Sequence, residues 1–169
     1  MTLPDKKTTE FLEVLNDLVM IHEDRITCYR QALASLRTID KNLQVEFNKI
    51  ISTGEYYKQQ LLEKIRKLNI SDRTESVNCG KIYSAWRELK VAFSGKTQKA
   101  IIDYSLYNDQ LFLSLYETAL NKSLEMEEET RQLIEKQESE LRSINDEIKK
   151  YNNPCYNIET EYAIQHSLL

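Results

Sequence analysis

FLEVLNDLVMIHEDRITCYRQALASL, residues 11–36, is the stretch on which the fold turns. Phe11, Leu15, Leu18, His22, Ile26, Tyr29, Leu33 and Leu36 follow at steps of 4, 3, 4, 4, 3, 4 and 3. That spacing is one apolar face of an α-helix, widened here by Leu12, Val19 and Ala32. It predicts a helix over about 8–39, capped by Thr8 or Thr9, with Glu10 near the positive end of its dipole. One stripe position, His22, is not apolar.

Three further segments carry the same period. Asp40 is the natural N-cap of a second helix over 41–68, striped by Leu43, Phe47, Ile50, Gly54, Tyr57, Leu61, Ile65 and Leu68. The link between the first two helices is short, which makes them antiparallel neighbours. Gly54 costs about 1 kcal/mol against alanine inside a helix. A packing reason is expected for it, such as room for a large side chain from a facing helix. Residues 69–79 lack an apolar period and read as a loop. Ile82, Tyr83, Trp86, Leu89, Lys90 and Phe93 then give a short helix over 81–93, with Ser94 and Gly95 to end it. A third long helix is expected over 97–121, striped by Ile101, Tyr104, Asn108, Leu111, Leu115 and Ala119, with Phe112 alongside. A fourth is expected over 125–151, opened by Glu127, Glu128 and Glu129. Met126, Leu133, Gln137, Leu141, Ile144, Ile148 and Tyr151 form its inner face, and Asn152, Asn153 and Pro154 stop it. The expectation is one all-α domain over 1–151, a four-helix bundle with a helix in its long second crossover, followed by a polar tail over 152–169.

Composition agrees with an all-α chain. Three Gly and two Pro are few, and Pro4 and Pro154 lie at the two ends, so nothing between them has to break a helix. Lys and Arg number 23 against 27 Asp and Glu, a net charge of −4, with the two signs interspersed. No basic stripe offers the counterion release that drives nucleic-acid binding. Cys28, Cys79 and Cys155 are widely spaced and form no zinc motif; Cys28 reads as a small buried hydrophobe. No apolar run approaches the roughly 20 residues that cross a bilayer, and the first residues lack a secretory apolar stretch, so a cytoplasmic location is expected.

The polar interruptions are the candidate site. His22 and the flanking Asp24, then Gly54, Tyr57, Asn108 and Gln137, fall near mid-helix and make a central polar layer. Di-iron bundles need a Glu from each of two helices and Glu-x-x-His from each of the other two, because two divalent cations require several carboxylates. No Glu-x-x-His occurs on these helices. The set reads as a degenerate metal site whose members satisfy one another by hydrogen bonds, so no cofactor is expected. A metal site would need His22 and Asp24 with off-stripe acids such as Glu46, Glu55 or Glu117. Trp86 reads as the packing anchor of the crossover helix, with a partner-binding role as the alternative. Tyr56, Tyr57, Tyr104 and Tyr107 are expected to be partly buried.

Several of these residues also carry a resemblance. Leu15-Asn16-Asp17-Leu18, Asp24-Arg25, Tyr29, the run from Gly80 to Lys96 around Trp86, and Tyr116-Glu117-Thr118-Ala119-Leu120 resemble a bacterial family that is a domain of unknown function. Gln137 and Ile148 continue the similarity, which covers about 10–151. The resemblance implies a four-helix bundle of the ferritin-like superfamily. Members commonly read Gly-Glu-Asp where this chain has Tyr107-Asn108-Asp109, and His-Asp where it has Asn145-Asp146. Aligned on Phe47 and Leu61, Gly54 and Tyr57 stand where Glu-x-x-His would. The expected function is therefore that of a non-enzymatic soluble protein acting by self-association or by binding a protein partner. A metal-binding ferritin-like oxidoreductase with an atypical site, and a small-ligand carrier using a cleft beside Gly54, are the competing expectations.

Overall fold

The computed structural model describes residues 6–36, 38–68, 79–91, 97–122 and 126–152. Every element among them is an α-helix: α1 (Lys6–Ser35), α2 (Lys41–Leu68), α3 (Lys81–Leu89), α4 (Gln98–Lys122) and α5 (Glu128–Lys150). The expected ends 94–95 of the crossover helix, the loop 69–78, Cys155 and the tail from 153 onward lie outside the described residues. No described helix is long and apolar enough to cross a membrane.

Most boundaries follow from local chemistry. Helix α1 begins at Lys6, so Thr8 and Thr9 lie within it and do not cap it. It stops at Ser35, earlier than the predicted 39, where the Ser35 hydroxyl donates back to the Ala32 carbonyl at 3.0 Å. Asp40 caps α2, its Oδ1 accepting from the Asn42 and Leu43 amides at 2.9 and 3.0 Å. Helix α3 ends at Leu89, short of 93, because Lys90 is extended and the Asn108 amide on α4 takes both the N–H and the C=O of Val91. Helix α5 starts at Glu128 rather than 125, since the Glu127 backbone is non-helical.

The long helices form a ring of neighbours in the order α1, α2, α5, α4, and α3 lies across α1 and α4. Contacts run in opposite directions along each neighbouring pair. Glu23 meets Lys58 while Tyr29 meets Phe47; Lys64 meets Glu129 while Tyr57 meets Glu140. His22 meets Tyr116 while Arg25 meets Asp109. Helices α2 and α4 therefore point the same way, and the connection carrying α3 returns the chain along the molecule. Two apolar clusters fill the interior. One gathers Leu15, Leu18, Leu61, Trp86, Phe112 and Ile134, the other Tyr29, Leu43, Phe47, Ile101 and Ile148.

Helix α3 is held by two aspartates spaced seven residues apart on α1. Asp17 is buried, and its carboxylate accepts from the Gly80 amide at 2.7 Å and the Tyr83 amide at 3.1 Å, acting as the cap that Gly80 cannot supply. Gly80 has no room for a side chain: a Cβ there would fall 2.5 Å from Asp17 Oδ2. At the other end, Asp24 Oδ2 accepts from Trp86 Nε1 at 3.1 Å and Lys90 Nζ at 2.7 Å, with the Tyr83 hydroxyl at 3.3 Å. Trp86 is fully buried. Asp17→Ala should lower the unfolding free energy by about 1–3 kcal/mol in urea titrations, because it leaves the buried Gly80 donor unsatisfied. An unchanged midpoint would mean that Trp86, Asp24 and Asn108 dock the helix without the Asp17 cap.

Candidate functional site: a polar layer between two apolar clusters

The polar interruptions lie at or beside the level where the two apolar clusters separate, and the structure sorts them into three groups. The first crosses all four long helices. The His22 ring is fully buried and its Nε2 lies 2.6 Å from the Tyr116 hydroxyl. That hydroxyl donates to Gln137 Oε1 at 2.8 Å. Gln137 Nε2 donates to Gln60 Oε1 at 3.1 Å and to the Tyr57 carbonyl at 3.4 Å. A carbonyl only accepts, so the amide orientation is fixed and Tyr116 must donate to Gln137. His22 Nε2 then carries the proton given to Tyr116, and Nδ1 is the bare lone pair. Nδ1 is buried without a partner. It faces Gly54, where a Cβ would stand 3.8 Å from it and 3.0 Å from Ile26 Cγ1. Gly54 is thus the place where α2 makes room for Ile26 and His22. The Tyr57 hydroxyl donates to Glu140 at the surface end of the layer.

The second group involves residues that lie off the predicted stripes. Arg25 and Asp109, each about 2% exposed, form a two-pronged ion pair: Nε to Oδ1 at 2.7 Å and Nη2 to Oδ2 at 2.9 Å. The Tyr29 hydroxyl donates to the same Oδ2 at 2.8 Å. The guanidinium lies 4.9 Å from the Phe112 ring centre and 5.2 Å from that of Tyr29. Its Nη1 has no hydrogen-bond acceptor and rests in this aromatic setting.

The third group is structural attachment. The stripe pattern places Asn108 in the central layer beside His22. It bonds to the Val91 backbone instead, at 2.9 and 2.8 Å, because its side chain leaves α4 toward the crossover. Asp24 likewise serves α3. Of the off-stripe acids, Glu55 pairs with Arg30 and Lys58 and Glu117 with Arg142 at the surface, while Glu46 is half-buried, its Oε2 enclosed without a hydrogen-bond partner and 3.9 Å from Lys49 Nζ. Tyr56 and Tyr107, expected to be partly buried, are 60% and 49% exposed, since both fall on the outer face of their helices. Cys28 is half-buried rather than a core residue.

Asp109 and Tyr116 escape the stripe reading because it runs the α4 stripe through Leu111 and Leu115, and Arg25 because it flanks the α1 stripe. A second stripe, Ile101, Ser105, Asp109, Phe112, Tyr116 and Ala119, has steps of 4, 4, 3, 4 and 3 and is the face that is buried. The signal for it is present in Phe112 and Tyr116, the bulkier residues.

Among the described residues, no group of three or more His, Cys, Asp or Glu side chains is placed to hold a metal ion. Burial, with the positive charges of Arg25 and Lys58 behind it, lowers the His22 pKa from 6.5 to about 3, so the ring is neutral. Burial raises the Tyr116 phenol well above its ordinary value, so it stays protonated. The His22–Tyr116 contact therefore keeps its hydrogen bond without either partner titrating near neutrality.

A family model described as a domain of unknown function (DUF2383) matches residues 10–122, and the chain belongs to that family. The matched span contains the Arg25–Asp109 pair, Trp86 and both α1 aspartates, and it ends where α4 ends. No curated protein and no solved structure matches the chain.

The neutral His22 makes stability depend on acid. Its folded pKa lies below its unfolded one, so its contribution is complete above about pH 6.5. It is lost as the pH falls from there toward 3, at about 1.4 kcal/mol per pH unit. Denaturant titrations between about pH 7 and pH 4 should show this fall, and the His22 ring resonances should not shift through the ordinary histidine range. A His22 that titrates near 6.5 would contradict the layer as described.

Proposed function

We propose that this chain is a non-enzymatic helical-bundle protein of ferritin-like architecture that acts through its surface, by self-association or by binding a protein partner, in the cytoplasm. The ring of antiparallel neighbours with a single long crossover supports the architecture, since that connectivity distinguishes ferritin-like bundles from up-down ones. The observation that carries the functional reading is the fate of the interior carboxylates. Asp109 is bound by Arg25 and Tyr29, and Asp17 is bound by the start of α3. A ferritin-like metal pair requires free carboxylates at this depth. A guanidinium there supplies the positive charge that metal ions would otherwise bring. His22 brings one lone pair to a wall made of Gly54 and Ile26, and among the described residues no group of metal ligands gathers there.

The same geometry argues against a carrier with a cleft at Gly54, because Ile26 fills the space that the missing side chain leaves. This reading places function on the outer surface of the helices.

Elemental analysis of the purified protein tests this. The expected result is no stoichiometric iron, manganese or zinc. About one metal or more per chain, removed by changing His22 and Asp24 to alanine, would restore the oxidoreductase reading.

A further inference from the structure

Among the described residues, the two most exposed large apolar side chains stand on one helix. Val45 is 63% exposed and Tyr56 60%, and both belong to α2. They are 11 residues apart, about three helical turns, so they project from the same side roughly 16 Å from each other. That side is opposite the buried stripe of Leu43, Ile50 and Leu61. One exposed apolar residue is ordinary, but two in register on one helix face mark a contact surface. Lys49 and Ser52 lie between them on this face. Lys49 is 55% exposed, and its ion pair with Glu46 is loose, at 3.9 Å.

The chain leaves α5 beside the start of this face. Tyr151 is buried in one cluster with Leu43 and Phe47, the α2 residues that flank Val45. Helix α5 runs antiparallel to α2, and Pro154 cannot continue it, so a chain that reverses there runs parallel to α2 and passes Val45 before Tyr56. The sequence that follows carries a matching stripe. Ile158, Tyr162, Gln165 and Leu169 fall at steps of 4, 3 and 4, and Ile158 and Leu169 are again 11 residues apart. The acids of this segment, Glu159 and Glu161, are opposite in charge to Lys49. Six residues separate Asn152 from Ile158, a reach of up to about 20 Å, ample to pass from the end of α5 to the side of α2.

We propose that residues 158–169 of the same chain dock as a helix along the outer face of α2, Ile158 on Val45 and Leu169 on Tyr56. The two spacings agree, so both apolar contacts form at once in a single register. In that register Tyr162 lies on the aliphatic stem of Lys49, and Glu161 faces its ammonium group. A segment joined to the bundle by a short link also meets this face at high effective concentration, so modest contacts suffice to hold it. With the tail docked, Val45 and Tyr56 are covered, and any association through α2 requires the tail to leave first. This contact goes beyond the function proposed above and does not depend on it.

Hydrogen–deuterium exchange of the full chain tests it, read by mass spectrometry on peptides from the last 15 residues. Their amides should exchange about tenfold or more slowly than those of a free chain, at a rate independent of protein concentration. Val45→Ser and Tyr56→Ser should each remove most of that protection. Both side chains are exposed in the bundle, so its thermal melting should hardly move. Ile158→Ser should act in the same way, and with it in place Val45→Ser should have no further effect. Tail amides that exchange as in a free chain overturn the docking. Protection indifferent to Val45 and Tyr56 overturns this face as its site. Protection that disappears on dilution, together with a dimer in sedimentation, overturns the contact within one chain and gives the tail to a second copy.

Discussion

The Arg25–Asp109 ion pair is the constraint around which the interior is arranged. Two opposite charges have been taken out of water, each at a cost of several kcal/mol, and only close two-pronged geometry with further hydrogen bonds offsets that. The structure supplies both, through the parallel N–H···O contacts and the Tyr29 hydroxyl on Oδ2. The pair joins α1 to α4 across 84 residues of sequence, so it sets the register of those helices against each other. A slip by one turn would strand a buried charge, a penalty that packing alone cannot impose.

The other polar contacts inherit their positions from that register. One turn toward the start of α1, His22 reaches Tyr116, and the chain of hydrogen bonds passes through Gln137 to Gln60 and the α2 backbone. Beside Asp109 on α4, Asn108 holds Val91 and with it the end of α3. The α1 residue before Arg25, Asp24, receives Trp86 and Lys90 from the same crossover segment. Adjacent residues on each helix thus serve two directions: one set faces the ring of long helices and the other faces the crossover. This division is how a polar layer crosses an otherwise apolar interior with its side chains bonded to one another and to the crossover.

Much of the all-α organisation is legible in the sequence, because amphipathic stripes and an N-cap such as Asp40 are local signals. Gly54, His22, Tyr57 and Gln137 are also legible, each as a departure within a stripe, and Trp86 as the anchor of the crossover helix. The missing partners have a different character. Arg25 and Asp109 are charged residues beside a stripe, and a flank charge reads as solvent-facing unless its distant partner is known. Asn108 shows the converse error, in which a polar residue on the apparent stripe faces α3. On α4 two stripes compete, and only the bulk of Phe112 and Tyr116 marks the true inner face. The premature end of α3 depends on a side chain 17 residues away and leaves no local trace.

The ion pair can be tested directly by a double-mutant cycle on Arg25 and Asp109, with unfolding free energies measured by denaturant titration. Arg25→Met and Asp109→Leu should each cost about 3–5 kcal/mol, since each leaves the other charge buried and alone. The double variant should recover most of that loss, giving a coupling energy well above the few tenths of a kcal/mol found for independent sites. If the two losses simply add, the pair does not set the register of α1 and α4, and the interior is not organised around it.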